Sequence, residues 1–78
     1  MKTEIVVRAV WDDSADVWVA TSDDVPGLVI EAPSTDLLEA ELKAIIPQLL
    51  IENRSHHTGG IDIPVQLLQQ SRFTAHVA

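Results

Sequence analysis

The sequence contains no cysteine, no tyrosine, one phenylalanine and only five basic residues. Without cysteine, the chain cannot form disulfide bonds, thiolate zinc sites or a cysteine nucleophile. Its uninterrupted apolar runs span only a few residues, far short of a membrane-crossing helix. No positively charged segment followed by an apolar stretch precedes the first predicted strand, so we expect a cytoplasmic protein.

The small number of basic residues also restricts the partners. They are scattered along the chain as Lys2, Arg8, Lys43, Arg54 and Arg72, and they stand against 12 acidic residues, for a formal net charge of −7. Proteins that bind nucleic acid cluster lysine and arginine to neutralise phosphates. The sequence therefore argues against direct nucleic-acid binding by this chain.

Apolar residues are abundant enough for folding, since 46% of the 78 residues are hydrophobic. Surface scaling predicts that roughly 7,700 Å² is buried, and the apolar share supplies ~115 kcal/mol of hydrophobic free energy. Ordering the chain costs ~115 kcal/mol as well, at about 1.5 kcal/mol per residue. Because the two terms cancel, we expect a single domain over residues 1–78 that self-association or a partner protein stabilises.

Three short segments predict a meander of antiparallel strands. The predicted strands cover residues 4–11, 17–21 and 28–32, and aspartate-rich or Pro-Gly turns separate them. Alternation places one set of apolar side chains on a common face of the first strand, namely Ile5, Val7, Ala9 and Trp11. The face of Trp18 stays open, because it depends on the register across the first turn.

A helix is predicted next, over residues 36 to 53. Its apolar stripe has helical spacing and consists of Leu38, Leu42, Ile45, Ile46 and Leu49. Asp36 and Glu39 form a pair like that of a capping box, with Thr35 as an alternative cap. Pro47 removes one backbone hydrogen bond, so a kink or a restart of the helix is predicted there.

A fourth strand is predicted over residues 61–67, where Pro64 favours an edge position. The tail, residues 71–78, has moderate strand character and is an alternative partner for a hairpin or for another subunit. We therefore predict an α+β domain of order β-β-β-α-β. Its sheet has three or four strands and is mainly antiparallel, and one long helix lies across one face.

This order of elements, together with four short segments, resembles the N-terminal domain of HicB-type antitoxins. The segments are Val10-Trp11-Asp12-Asp13, Val17-Trp18-Val19-Ala20, Asp24-Val25-Pro26-Gly27-Leu28 and Ala32-Pro33-Ser34-Thr35-Asp36-Leu37-Leu38-Glu39-Ala40. The phrase Ile45-Ile46-Pro47-Gln48-Leu49-Leu50 is closer to a HicB-related branch of short bacterial domains of unknown function. The resemblance covers residues 3 to 54.

The resemblance implies a truncated ribonuclease-H-like sheet with a helix on one face. It also implies a protein-binding role, because HicB domains inhibit HicA, a small basic toxin that cleaves RNA. Complete antitoxins carry a further DNA-binding unit, whereas only 18 residues follow Gly60 here, so autoregulation through DNA is not expected. The residues that we expect to contact a partner are Trp18, Asp23, Asp24 and Pro26. No catalytic residue, metal or cofactor is expected.

Acidic turns provide a way to attract a basic partner. We hypothesise that neighbouring turns form one acidic rim from Asp12, Asp13, Asp16, Asp23 and Asp24. The alternative is that aspartate favours turns and keeps the protein soluble.

Two other functions remain open. One is an orphan domain that associates only with copies of itself. The other is a metal-dependent nuclease, which requires Glu4, Glu31 and Asp62 to converge. The pair His56-His57 is interpreted as part of a solvated loop, because adjacent residues rarely face one ion.

Overall fold

The computed structural model describes residues 4–52, 63–71 and 74–78. In that part of the chain, the elements in order are β1 (Ile5–Asp12), β2 (Val17–Thr21), β3 (Val29–Ala32), α1 (Thr35–Glu52) and β4 (Val65–Gln70). The four strands form a sheet in the order β3-β2-β1-β4. The predicted α+β class and the order β-β-β-α-β are confirmed.

The first three strands form the predicted antiparallel meander, whereas β4 pairs with β1 in parallel. The helix accounts for this difference. It begins beyond the last residue of β3 and returns the chain to the end of the sheet where β1 starts, so β4 runs in the same direction as β1. Parallel strands require a crossover of this kind, and the sheet is therefore mixed.

The fourth strand begins at Val65 rather than at residue 61, and it continues to Gln70. Just before it, the Pro64 carbonyl accepts a hydrogen bond from the Ile5 amide at 3.0 Å. Pro64 thus takes part in the pairing only as a hydrogen-bond acceptor. Because proline has no N–H to donate, it is tolerated here, just before the edge strand β4. Residues 61 and 62, and the predicted loop with His56-His57, lie outside the described residues.

Ser34 caps the helix, because its hydroxyl oxygen accepts a hydrogen bond from the Leu37 amide at 3.3 Å. The predicted capping box of Asp36 and Glu39 is wrong. The helix starts at Thr35, one residue earlier than predicted, so the cap moves to the residue before it. Asp36 still lies in the first turn, where its negative charge interacts favourably with the helix dipole.

Pro47 lies inside α1, which continues through it from Thr35 to Glu52 without a restart. The proline cannot donate to the carbonyl of Lys43. Because Pro47 is exposed, water can reach the carbonyl that loses its donor. In the described part of the chain, no helix has the length and apolar content needed to cross a lipid bilayer.

The core lies between α1 and one face of the sheet, here called the inner face. The helix contributes every fourth residue, Leu38, Leu42, Ile46 and Leu50. The sheet and the β2–β3 connection contribute Ile5, Val7, Ala9, Ala20, Val25, Leu28 and Ala32. The predicted inward face of β1 is thus confirmed for Ile5, Val7 and Ala9, whereas Trp11 is only half-buried. The opposite side of the sheet is here called the outer face.

Candidate protein-interaction surfaces

Side chains continue the pairing of β1 with β2 beyond Thr21, the last residue of β2. The Ser22 hydroxyl donates to the Val6 carbonyl at 2.6 Å, and Asp24 Oδ2 accepts from the Val6 amide at 2.8 Å. The Asp24 amide donates to the Ser22 hydroxyl oxygen at 3.1 Å. Loop side chains therefore satisfy both backbone groups of Val6 and tie the β2–β3 connection to β1.

A tight turn follows these bonds. The Leu28 amide donates to the Val25 carbonyl at 3.1 Å, and Gly27 has a φ of 86°. Proline at the second position and a left-handed glycine at the third are typical of a type II turn. Val25 and Leu28 are buried, at 0% and 3% exposure. Both ends of the turn are therefore anchored in the core.

Asp23 and Pro26 face solvent from this anchored loop, whereas Asp24 is half-buried. Three of the four predicted partner-contact residues thus lie together, and we call Asp23, Asp24 and Pro26 the β2–β3 loop surface. Asp24 uses a carboxylate oxygen inside the fold, which leaves Asp23 and Pro26 as its outward groups. Since the loop is already fixed, a partner that contacts it loses little entropy in ordering it.

Trp18, the fourth predicted residue, lies at the other end of β2. It pairs with Trp11 in the register, and the two half-buried rings pack edge to face, with centroids 5.5 Å apart and planes at 67°. The Trp11 indole Nε1 donates to Asp13 Oδ1 at 2.7 Å. The strand from Trp18 to Thr21 spans roughly 10 Å, and Asp23 follows two residues beyond its end. Trp18 packs against the core, and the tryptophan pair is separate from the β2–β3 loop surface.

The acidic turn residues form two groups. Asp12, Asp13 and Asp16 lie at the β1–β2 turn, and Asp23 and Asp24 follow the opposite end of β2. The prediction of one rim along neighbouring turns is wrong, because consecutive connections of an antiparallel meander alternate between the two ends of the sheet.

The carboxylates of the first group serve the turn itself. Asp12 Oδ1 accepts from the Ser14 amide at 3.0 Å and from the Ser14 hydroxyl at 2.7 Å. These hydrogen bonds, from the hydroxyl and then from the amide, lower the pKa of Asp12 below its ordinary value. Asp16 has a left-handed φ of 55°, a conformation that aspartate tolerates well. Turn formation accounts for this group.

The carboxylates required for a nuclease do not converge. Glu4 precedes β1, whereas Glu31 lies in the row of Val10 and Val19, which is six residues farther along β1 and roughly 20 Å away. Two-metal sites need carboxylates within a few ångströms of each other. Asp62 lies outside the described residues, and within residues 4–52, 63–71 and 74–78 no group of three or more His, Asp or Glu could hold a metal ion.

The outer face of the sheet is a surface that the sequence-based predictions missed. The strand registers place on it the apolar residues Val6, Val10, Val17, Val19, Val29 and Leu68. Val10 is 51% exposed and Val29 is 64% exposed. A sheet covered on one side usually has polar residues on the other. The alternation of Val6 and Val10 in β1 hinted at this surface, but the other strands could be assigned to it only from the register.

Comparisons with known proteins agree with this fold. The crystal structure of hypothetical protein TTHA1013, from the extremely thermophilic bacterium Thermus thermophilus, has 38% sequence identity and a TM-score of 0.66. The match covers 95% of this chain and 99% of that chain. No curated protein matches the sequence. The model of a family described as a domain of unknown function (DUF1902) matches residues 4–77. The chain therefore belongs to the DUF1902 family of domains of unknown function.

Proposed function

We propose that the chain is a HicB-like protein-binding module whose β2–β3 loop surface contacts a small basic protein of the RNA-cleaving toxin type. The observation that carries this proposal is the construction of the loop. Asp24 and Val25 fix it from within, and Asp23 and Pro26 face solvent. An exposed carboxylate and a rigid proline on the same loop, which is ordered before binding, suit a protein contact.

The charge of the chain favours a basic partner, since the formal net charge is −7. Glu4 and Asp23 are exposed at the end of the sheet where β1 starts. Of the basic residues in the described ranges, Arg8 lies on the outer face and Lys43 forms an ion pair with Glu39 at 3.4 Å. The last turn of α1 contains no basic residue, so the partial negative charge of the helix C-terminus adds to the acidic character. Such a field speeds association with a cationic protein at low ionic strength.

Binding of this kind inhibits a ribonuclease without any catalytic group in the inhibitor. The lysine and arginine side chains with which a small ribonuclease holds RNA phosphates are the groups that an acidic surface engages. The proposal thus gives the chain the role of an antitoxin-type inhibitor. The proposed contact is limited to the β2–β3 loop surface, because Trp18 packs on Trp11 at the other end of β2.

Capture from a native lysate of the source organism at low salt tests the proposal. The tagged chain is expected to recover a small basic protein in a stoichiometric amount, identified by mass spectrometry. Asp23→Lys should abolish this recovery, whereas Glu41→Lys should preserve it. Both variants make the same charge change at an exposed position, but Glu41 lies on the helix. Equal recovery by Asp23→Lys, or recovery of nothing but untagged copies of the chain, would contradict the proposal.

A further inference from the structure

We propose that the outer face of the sheet is the interface between two copies of this chain, packed face to face. This surface differs from the β2–β3 loop surface and requires no basic partner, so the inference goes beyond the proposed function. Three features of the outer face support it: exposed apolar residues, two complementary charges and a low net charge.

Two rows of side chains on the outer face cross all four strands. The row through Arg8 consists of Leu68, Arg8, Thr21 and Val29, and the row through Val10 consists of Gln70, Val10, Val19 and Glu31. Aliphatic side chains therefore surround one cation and one anion. Val10 is 51% exposed and Val29 is 64% exposed. Burying these apolar side chains against a partner would be favourable, because it removes apolar surface from water.

Arg8 and Glu31 make the outer face complementary to itself. They lie two strands and one row apart, with about 12 Å between their Cα atoms from standard sheet spacings. Neither residue has an ion-pair partner among residues 4–52, 63–71 and 74–78. A two-fold axis that passes midway between them brings Arg8 of one copy over the partner's Glu31, and the reverse. Both ion pairs then form at once, around the valines.

The charge balance of the outer face favours a second copy over a basic protein. Arg8 and Glu31 offset each other, which leaves one net negative charge on the face, that of Asp12 at its margin, where the carboxylate accepts hydrogen bonds from Ser14. The chain's net charge of −7 therefore resides mainly on other surfaces. A basic partner would gain little electrostatic attraction here. Two acidic copies, which repel each other at long range, associate best through a neutral apolar contact.

The outer face is the side of the sheet that α1 does not cover, since the helix packs against the inner face. A face-to-face dimer also gives the sheet a second covering layer.

Sedimentation equilibrium of the full chain over a range of concentrations tests the inference. The native chain is expected to form a dimer of twice its 8.5 kDa mass. Val29→Asp should raise the dimer dissociation constant at least about tenfold, because it buries a carboxylate without a partner. Ile51→Asp is the matched control. Ile51 is 66% exposed and Val29 is 64% exposed, but Ile51 lies on the helix, so its substitution should leave the dissociation constant unchanged.

A charge exchange tests the register of the two copies. Arg8→Glu and Glu31→Arg should each weaken the dimer, since each places like charges opposite one another. The double variant Arg8→Glu/Glu31→Arg inverts both ion pairs, so its dissociation constant should return to within about threefold of the native value. Circular dichroism verifies that each variant is folded.

Three results would overturn the inference. These are a native chain that is monomeric at every concentration, a dimer that Val29→Asp leaves intact, and equal weakening by Val29→Asp and Ile51→Asp. The last two would assign the interface to a strand edge or to the helix. None of these substitutions touches the β2–β3 loop surface, so the outcome is independent of the capture experiment with Asp23→Lys.

Discussion

Asp24 takes the place of a strand residue beside Val6: its Oδ2 accepts the Val6 amide hydrogen at 2.8 Å, beyond the last backbone pair between β1 and β2. Both residues are half-buried, whereas the adjacent Asp23 is exposed. Two neighbouring aspartates therefore have different tasks. Asp24 maintains the loop conformation, and Asp23 exposes its carboxylate to solvent.

Asp24→Ala should lower the free energy of unfolding by about 1–3 kcal/mol, because a part-buried backbone amide loses its acceptor. Asp23→Ala, at an exposed position, should change it by no more than about 0.5 kcal/mol. Urea unfolding followed by tryptophan fluorescence measures both variants. Equal effects of the two substitutions would refute this division of tasks.

Ser34→Ala should destabilise the protein by about 1 kcal/mol, because the hydroxyl that caps α1 is removed. Thr35→Ala, at the first helical residue, should cost less than about 0.5 kcal/mol. The same unfolding measurement distinguishes the two positions. A larger loss in Thr35→Ala would assign the cap to Thr35 instead.

Gly27→Ala should cost about 1–2 kcal/mol, because an L side chain disfavours the left-handed backbone at this position. No heavy atom lies within 4 Å of a Cβ placed on Gly27, so the cost comes from backbone conformation alone. Gly27→Asn should be less destabilising, since asparagine tolerates this region. Comparable losses in the two variants would indicate a steric cause.

Asp12 should contribute to the pH dependence of stability. Its pKa is lowered from the ordinary 3.8 by the hydrogen bonds from Ser14. A lowered pKa in the folded state stabilises the fold above the unfolded pKa, and this contribution is lost as the pH falls through the folded pKa. Ser14→Ala removes the hydroxyl donor, so an NMR titration should show the pKa of Asp12 moving up toward 3.8. Ser71→Ala should not move it, and an unchanged value in Ser14→Ala would contradict the assignment.

The strands and the inward face of β1 could be predicted because they depend on local pattern. The bounds of β2, residues 17–21, agree with the prediction, since turn-forming residues flank a β-branched run. The face of Trp18 could not be predicted. It depends on the register across the β1–β2 turn, which here pairs Trp18 with Trp11 and which alternation within one strand does not contain.

The end of the fourth strand and the positions of the candidate surface residues could not be predicted for the same reason, since both depend on strand pairing. Gln69 and Gln70 are not among the β-branched and aromatic residues that favour strands, and they belong to β4 because they pair with Ala9 and Val10 of β1. The single acidic rim was wrong because the positions of Asp16 and Asp23 relative to each other follow from strand direction. The composition of the outer face could not be predicted either, because it depends on the three strand registers that place Arg8, Glu31 and the surrounding apolar residues on the same side of the sheet.

Cleavage of RNA by the captured basic protein, with and without the chain, tests the central claim most directly. The proposed function predicts that the captured protein cleaves RNA and that one equivalent of the native chain suppresses cleavage. It further predicts that Glu41→Lys suppresses cleavage equally well and that Asp23→Lys does not. A captured protein without RNA-cleaving activity, or cleavage that one equivalent of the native chain leaves unchanged, would contradict the claim that this DUF1902 domain acts as an antitoxin-type inhibitor.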